Sequence, residues 1–304
     1  MTTSNLAWQL IPLVLCGLLG LLFTRGWLRL RLIASELAAP ARLISLWAGL
    51  ALLCAAHLPP LYPLSGELLF ARSILKILTV MVAPPLIWLA APVHGVLWGL
   101  PGGLRGRASR AILGPSAIHN TLRVVTAPGL AWLLFISVFV IWHDARFTSW
   151  SMAQGWARHL SLWVLGLAAL LYWSHVVGTA PRIHARLPLW VFFAYLVGAD
   201  IPNMVAGVTI SFTGRPIYAH YANIHATTAS PFGVDVLDDQ IIAGGLIWFF
   251  GSIVYFGSAV LVMRRLFKHE HPQPFPNWDA DERMIAPGLE HRLAEPRPAP
   301  PKTR

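Results

Sequence analysis

Seven long apolar stretches constrain this chain more than any other feature: about 6–23, 43–57, 68–91, 126–143, 159–178, 188–210 and 240–263. Crossing a bilayer core takes roughly 20 helical residues, and each stretch has that length or nearly so. The second is short unless it starts near Ala38. Only 12% of the 304 residues are charged and 56% are hydrophobic, with a mean hydropathy of +0.60. A soluble domain carries about a quarter charged residues, so lipid is the simplest solvent for this composition. The 14 Trp agree with it, because Trp favours the headgroup boundary. The expected fold is all-α: an integral membrane bundle of about seven transmembrane helices over residues 1–268. A proline-rich, charged tail over residues 269–304 is expected to be disordered.

The net charge of +10 does not indicate nucleic acid, because the basic residues are scattered through short connections rather than gathered with stacking aromatics. It reads as membrane orientation instead. Arg25, Arg29, Arg31 and Arg42 lie in the first connection, Arg105, Arg107, Arg110 and Arg123 in the third, and Arg182 and Arg186 in the fifth. Arg264, Arg265 and Lys268 follow the last span, while the intervening connections hold only Arg146, Arg158 and Arg215, with Arg72 and Lys76 at the edge of the third span. The N-terminus is therefore expected outside and the C-terminus in the cytoplasm. The first stretch has no basic leader and no small-x-small cleavage site, so it is read as a span rather than a cleaved signal.

This topology sorts the histidines. His57, His143 and His159 end or begin spans at the outer boundary, and His220 and His225 lie in the outer loop before the last span. Neutral imidazole suits copper, zinc and iron, and Met81, Met152 and Met204 offer thioethers for Cu(I). The structural alternative is an interfacial histidine with one nitrogen in water and the other on a carbonyl. Cys16 and Cys54, the only cysteines, are expected at different depths and read as packing residues rather than a disulfide. His269 and His271 form an HxH in the tail, a weak metal motif.

Asp200 lies within the sixth stretch, where a carboxylate costs about 2.5–3.5 kcal/mol on insertion scales. Asp200, Asn203, Met204 and Gly207 share a helical face, and Pro202 removes a backbone donor there. A polar cavity or ion path and a structural hydrogen bond to a neighbouring helix are both consistent with this pattern. Before the last span, Asp238 is placed to cap the helix, and Asp239 and Gln240 either do the same or orient the outer histidines. Gly244, Gly251 and Ser258 recur every seven residues, as close helix packing requires. Arg72 and Lys76 stand four residues apart at the start of the third stretch. Two cations on one face of a lipid-embedded helix demand an explanation.

The segments "VMVAPPLIWLAAP" (80–92), "IWH" (141–143), "RHLSLWVLGLAALLYW" (158–173) and "DDQIIAGGLIWFFGS" (238–252) resemble the CtaG family of polytopic bacterial cytochrome c oxidase assembly factors. The most specific part is Asp239, Gln240, Gly244 and Trp248. The resemblance implies a multi-pass protein of the bacterial inner membrane that serves the respiratory chain. It would mature a haem–copper oxidase by delivering copper, or by scaffolding, on the outer side. Its partners would be oxidase subunits or other assembly factors.

Relatives carry a His-x-x-x-His pair before Ala-Pro-Pro; those positions are Arg72 and Lys76 here, and a second pair keeps only His159, with Gly155 one turn earlier. Lys and Arg do not bind copper at ordinary pH. The two cations are open to three readings: snorkelling to headgroups, pairing with Glu67, Asp144 or Asp239, or docking an acidic partner or haem propionates. The expected metal ligands are then His57, His143 and His159. Two other functions fit an apolar bundle: a copper or small-ion transporter using Asp200 and a sixth span broken at Pro202, and a b-type haem protein with axial histidines. An enzyme is not expected, since there is no phosphate loop, nucleophile elbow or HExxH.

Overall fold

A computed structural model describes residues 3–34, 38–179, 181, 183–185 and 187–267. The tail, with His269 and His271, lies outside the described residues, as do Arg182, Arg186 and Lys268. The described residues form helices and connections without a strand. In chain order the helices are α1 (Thr3–Ile33), α2 (Pro40–Ala55), α3 (Leu61–Glu67), α4 (Leu69–Lys76), α5 (Ala83–Leu89), α6 (Pro92–Gly99) and α7 (Gly102–Leu113). They continue as α8 (Ala117–Val125), α9 (Pro128–His143), α10 (Ala145–Ala153), α11 (Gly155–Val177), α12 (Leu189–Phe212), α13 (Ala219–Thr227) and α14 (Val236–Phe267). A π-helical turn, Ile77–Val82, joins α4 to α5.

Five described helical segments are long and apolar enough to cross a bilayer: Leu10–Ile33, Leu69–Leu89, Gly155–Val177, Leu189–Phe212 and Val236–Leu261. The pair α8 and α9 makes a sixth if counted as one span, although it bends by 52° at the break. Of the about seven expected spans, five or six are seen by this measure among the described residues. Pro40 starts α2, which is a 16-residue apolar helix, and Pro128 starts α9 after the bend.

The third span shows how the sequence shapes a helix locally. Pro84 and Pro85 lack N–H groups, so the carbonyl of Val80 loses its partner whether the helix closes at four residues or at five. The Trp173 indole of α11 donates to that carbonyl at 2.7 Å. Trp88, Trp132 and Trp27 likewise donate to the carbonyls of Leu170, Tyr195 and Ala39. These tryptophans serve as interhelical ties, a role beyond the headgroup boundary. By contrast α12 runs unbroken through Pro202, so the broken sixth span is not observed.

Two close crossings hold the bundle. At the α1–α6 contact, a Cβ on Gly26 would lie 1.9 Å from the Gly95 carbonyl oxygen, and one on Gly99 1.9 Å from that of Leu22. Only hydrogen fits there. Arg29 then caps α6 by donating to the carbonyls of Trp98 and Leu100 at 2.9 and 2.8 Å. At the α12–α14 contact, Gly207 meets Gly244 backbone to backbone, and Gly251 leaves room for the Asn203 amide. The expected small-residue stripe of the last span is therefore used at Gly244 and Gly251, while the Ser258 hydroxyl bonds its own helix at Val254.

Candidate functional site

The site is assembled from the ends of α2, α4, α9, α11 and α14. Leu68 is extended, and α4 starts at Leu69 with no capping side chain of its own. Asp239 of α14 supplies the cap from a distance: Leu69 N–H donates to Oδ2 and Phe70 N–H to Oδ1, both at 2.8 Å. Asp239 is fully buried, and His225 Nε2 lies 3.3 Å from Oδ2. Gln240 accepts from the Ile217 N–H and donates to the carbonyls of Thr213 and Arg215. Both residues therefore anchor neighbouring backbone. Of the histidines expected on the outer side, Asp239 meets only His225. At the start of α14 the Leu237 N–H donates to Asp235, three residues before the expected cap Asp238.

With α4 docked this way, Arg72 and Lys76 point into the protein. Arg72 is 3% exposed and Lys76 is not exposed at all, which excludes snorkelling. The Arg72 guanidinium lies 3.8 Å above the Trp142 ring and donates to the Trp142 carbonyl at 3.0 Å and to Thr148 Oγ1 at 3.3 Å. Lys76 Nζ donates to Asn203 Oδ1 at 3.0 Å, lies 3.5 Å from His143 Nε2 and sits over the Phe139 ring at 4.7 Å. Among the described residues neither cation forms a salt bridge with Glu67, Asp144 or Asp239. Carbonyl, amide and aromatic faces carry these charges instead.

This arrangement decides the position of His143. Its Nδ1 is 2.8 Å from the Phe139 carbonyl, and its Nε2 faces the Lys76 ammonium. Both ring nitrogens are engaged. The three histidines expected to share one rim therefore do not form one ligand set, and no group of three or more His, Cys, Asp or Glu among the described residues is arranged to hold a metal ion.

His57 and His159 do come together. His57 follows α2 and donates its backbone N–H to the Cys54 carbonyl; His159 lies in the second turn of α11. Their rings are nearly parallel, 11° apart, with centroids separated by 6.1 Å. Tyr62 stacks on His159 at 4.1 Å, Trp163 on His57 at 4.9 Å, and Trp8 of α1 on the other reach of His159 at 6.0 Å. Arg158 lies over Tyr62 at 4.1 Å and donates to the Tyr62 carbonyl and the Ser65 hydroxyl. Nδ1 of His57 and Nδ1 of His159 are buried and have no hydrogen-bond partner among the described residues. The same holds for Tyr62 OH, Trp163 Nε1 and Arg158 Nε. Five such groups round one aromatic stack are exceptional, because buried polar atoms are almost always paired.

The intramembrane polar residues divide. Asn203 is buried, donating to the Ile247 carbonyl at 3.1 Å while accepting from Lys76. Asp200, one turn away, is partly exposed, with Oδ1 unpartnered. Met204 is 45% exposed, so it does not share the buried face of Asn203 and Gly207. Tyr62 and Trp163 escaped the reading of the sequence because they carry no metal-ligand chemistry; their spacing from His57 and His159 was the available signal.

No curated protein sequence and no solved structure matches this chain. A family model described as cytochrome c oxidase caa3 assembly factor (Caa3_CtaG) matches residues 21–269. That stretch runs from α1 through α14, most of the protein, and includes every residue of the site except Trp8. The chain therefore belongs to the CtaG family of cytochrome c oxidase caa3 assembly factors.

Proposed function

We propose that this protein matures a haem–copper cytochrome c oxidase in the bacterial plasma membrane by holding Cu(I) in transit between His57 and His159. It hands the ion to an oxidase subunit, or to another assembly factor, at the outer side. The observation that carries this reading is the pair of buried imidazoles with unpartnered Nδ1 atoms. The ring centroids are 6.1 Å apart, within the span of one ion bound at roughly 2 Å from a nitrogen of each ring. Two neutral imidazole nitrogens suit copper, and a cargo must leave again, which a two-ligand site permits.

A haem between the same rings is disfavoured. A macrocycle needs clear space on every side, and Tyr62 and Trp163 fill it at 4.1 and 4.9 Å. The test is genetic. A deletion strain is expected to accumulate oxidase deficient in copper, and His57→Ala/His159→Ala is expected to fail to restore it unless copper is supplied in excess. Normal oxidase in the deletion strain would remove the assembly role. Full rescue by the double variant in copper-limited medium would remove the copper role and leave a scaffold.

A further inference from the structure

The two cysteines, separated by 38 positions in sequence, meet in the structure. Helices α1 and α2 pack against each other, and Cys16 and Cys54 join the same apolar cluster with Phe23, Trp27, Leu46 and Leu50. The Cys54 thiol donates to the Pro12 carbonyl at 3.8 Å. Pro12 is one helical turn before Cys16, so its carbonyl faces the Cys16 backbone N–H, and the Cys54 thiol reaches α1 next to Cys16. Their different depths expected from the sequence do not hold: α1 already begins at Thr3, and the end of α2 comes back level with its first four turns.

We propose that Cys16 and Cys54 form a second Cu(I) site, in series with His57 and His159. The two pairs are contiguous. The Cys54 carbonyl accepts the His57 backbone N–H at 2.9 Å, and Trp8, two turns before Cys16 on α1, stacks on His159. An ion leaving one pair therefore meets the other within the α1–α2–α11 seam. Thiolate is the softest ligand the chain offers, and soft ligands select Cu(I). As Cu(I) arrives from the aqueous side, one thiol releases its proton to bulk water, and the second coordinates as the neutral thiol. The copper–sulfur bonds form without electron transfer, and the complex is uncharged. That suits an apolar surround, where an isolated charge is expensive. Both cysteines are free in the structure, as ligation requires.

This inference rests on the copper reading but can be tested separately from it. Detergent-purified full-length protein is loaded anaerobically with Cu(I), and the copper ligands are read by X-ray absorption. The expected result is a mixed nitrogen and sulfur environment with two copper ions per chain. Cys16→Ser/Cys54→Ser should lose the sulfur signal and one copper, and His57→Ala/His159→Ala should lose the nitrogen signal and keep the sulfur. Nitrogen ligation alone in the wild type overturns the cysteine site and leaves the histidine pair standing. Sulfur alone overturns the histidine pair and leaves the cysteine site. Protein that takes up no copper with its thiols reduced overturns both.

Discussion

Lys76 is buried without a carboxylate, and replacing it tests whether Asn203 and His143 carry its charge. In Asn203→Leu the ammonium loses its 3.0 Å acceptor and retains only His143 at 3.5 Å and the Phe139 ring. A hydrogen bond to a charged group contributes about 1.5–3 kcal/mol. The bond from Asn203 to the Ile247 carbonyl, at 3.1 Å, is lost as well and adds about 1 kcal/mol. Leucine must also fit where the Asn203 amide lies against Gly251. The total is about 3–5 kcal/mol. Lys76→Met acts differently. It abandons Asn203 Oδ1 and the His143 nitrogen at about 1–3 kcal/mol each, but removes an ammonium whose burial costs several kcal/mol. The expected net change is within about 1.5 kcal/mol of wild type. Lys76→Met/Asn203→Leu should therefore be more stable than Asn203→Leu alone, with a coupling energy of at least about 2 kcal/mol. Denaturant titration in mixed micelles measures all three. Additive effects, or an Asn203→Leu cost below about 1 kcal/mol, would refute the assignment.

Further outcomes follow from the ties between helices. Asp239→Ala frees the N–H groups of Leu69 and Phe70, and should cost about 2–4 kcal/mol in the same titration. Trp173→Phe leaves the Val80 carbonyl unpaired beside Pro84 and should cost about 1–3 kcal/mol. Gly99→Val drives a side chain into the Leu22 carbonyl and should lower stability by at least about 2 kcal/mol, whereas Gly103→Val on α7, where no neighbour lies within 4 Å of the added carbon, should not. His220, outside the spans, has its pKa lowered from 6.5 chiefly by burial, although the Gly66 carbonyl at 2.9 Å opposes the shift. The unfolded chain therefore binds the proton more readily, so this contribution is present above about pH 6.5 and is lost as pH falls below it. The thermal midpoint should decline more steeply toward pH 5 in wild type than in His220→Gln.

The apolar runs revealed a helical bundle because lipid leaves few other ways to satisfy a backbone. Of the seven expected spans, five or six are seen by length and apolarity, because hydropathy does not register that α2 is only 16 residues long or that the chain bends between Val125 and Pro128. The close packing of α14 was legible in its glycines, whereas the α1–α6 crossing was not, because Gly26, Gly95 and Gly99 lie in separate segments. In the site, His57 and His159 were recoverable from their place at helix ends. The fate of His143 was not. It depends on Lys76 reaching across from α4, and a sequence shows that a lysine is present without showing what it faces. Asp238 was the expected cap of the last span, whereas the capping carboxylate found is Asp239, and the helix it caps is α4, 170 residues earlier in the chain.

The most direct measurement is the Cu(I) affinity of purified protein carrying Cys16→Ser/Cys54→Ser, compared across three further substitutions. His57→Ala and His159→Ala should each abolish the remaining high-affinity copper, and His143→Ala should retain it. Retention in both of the first two, or loss in His143→Ala, would contradict the assignment of copper to the stacked pair.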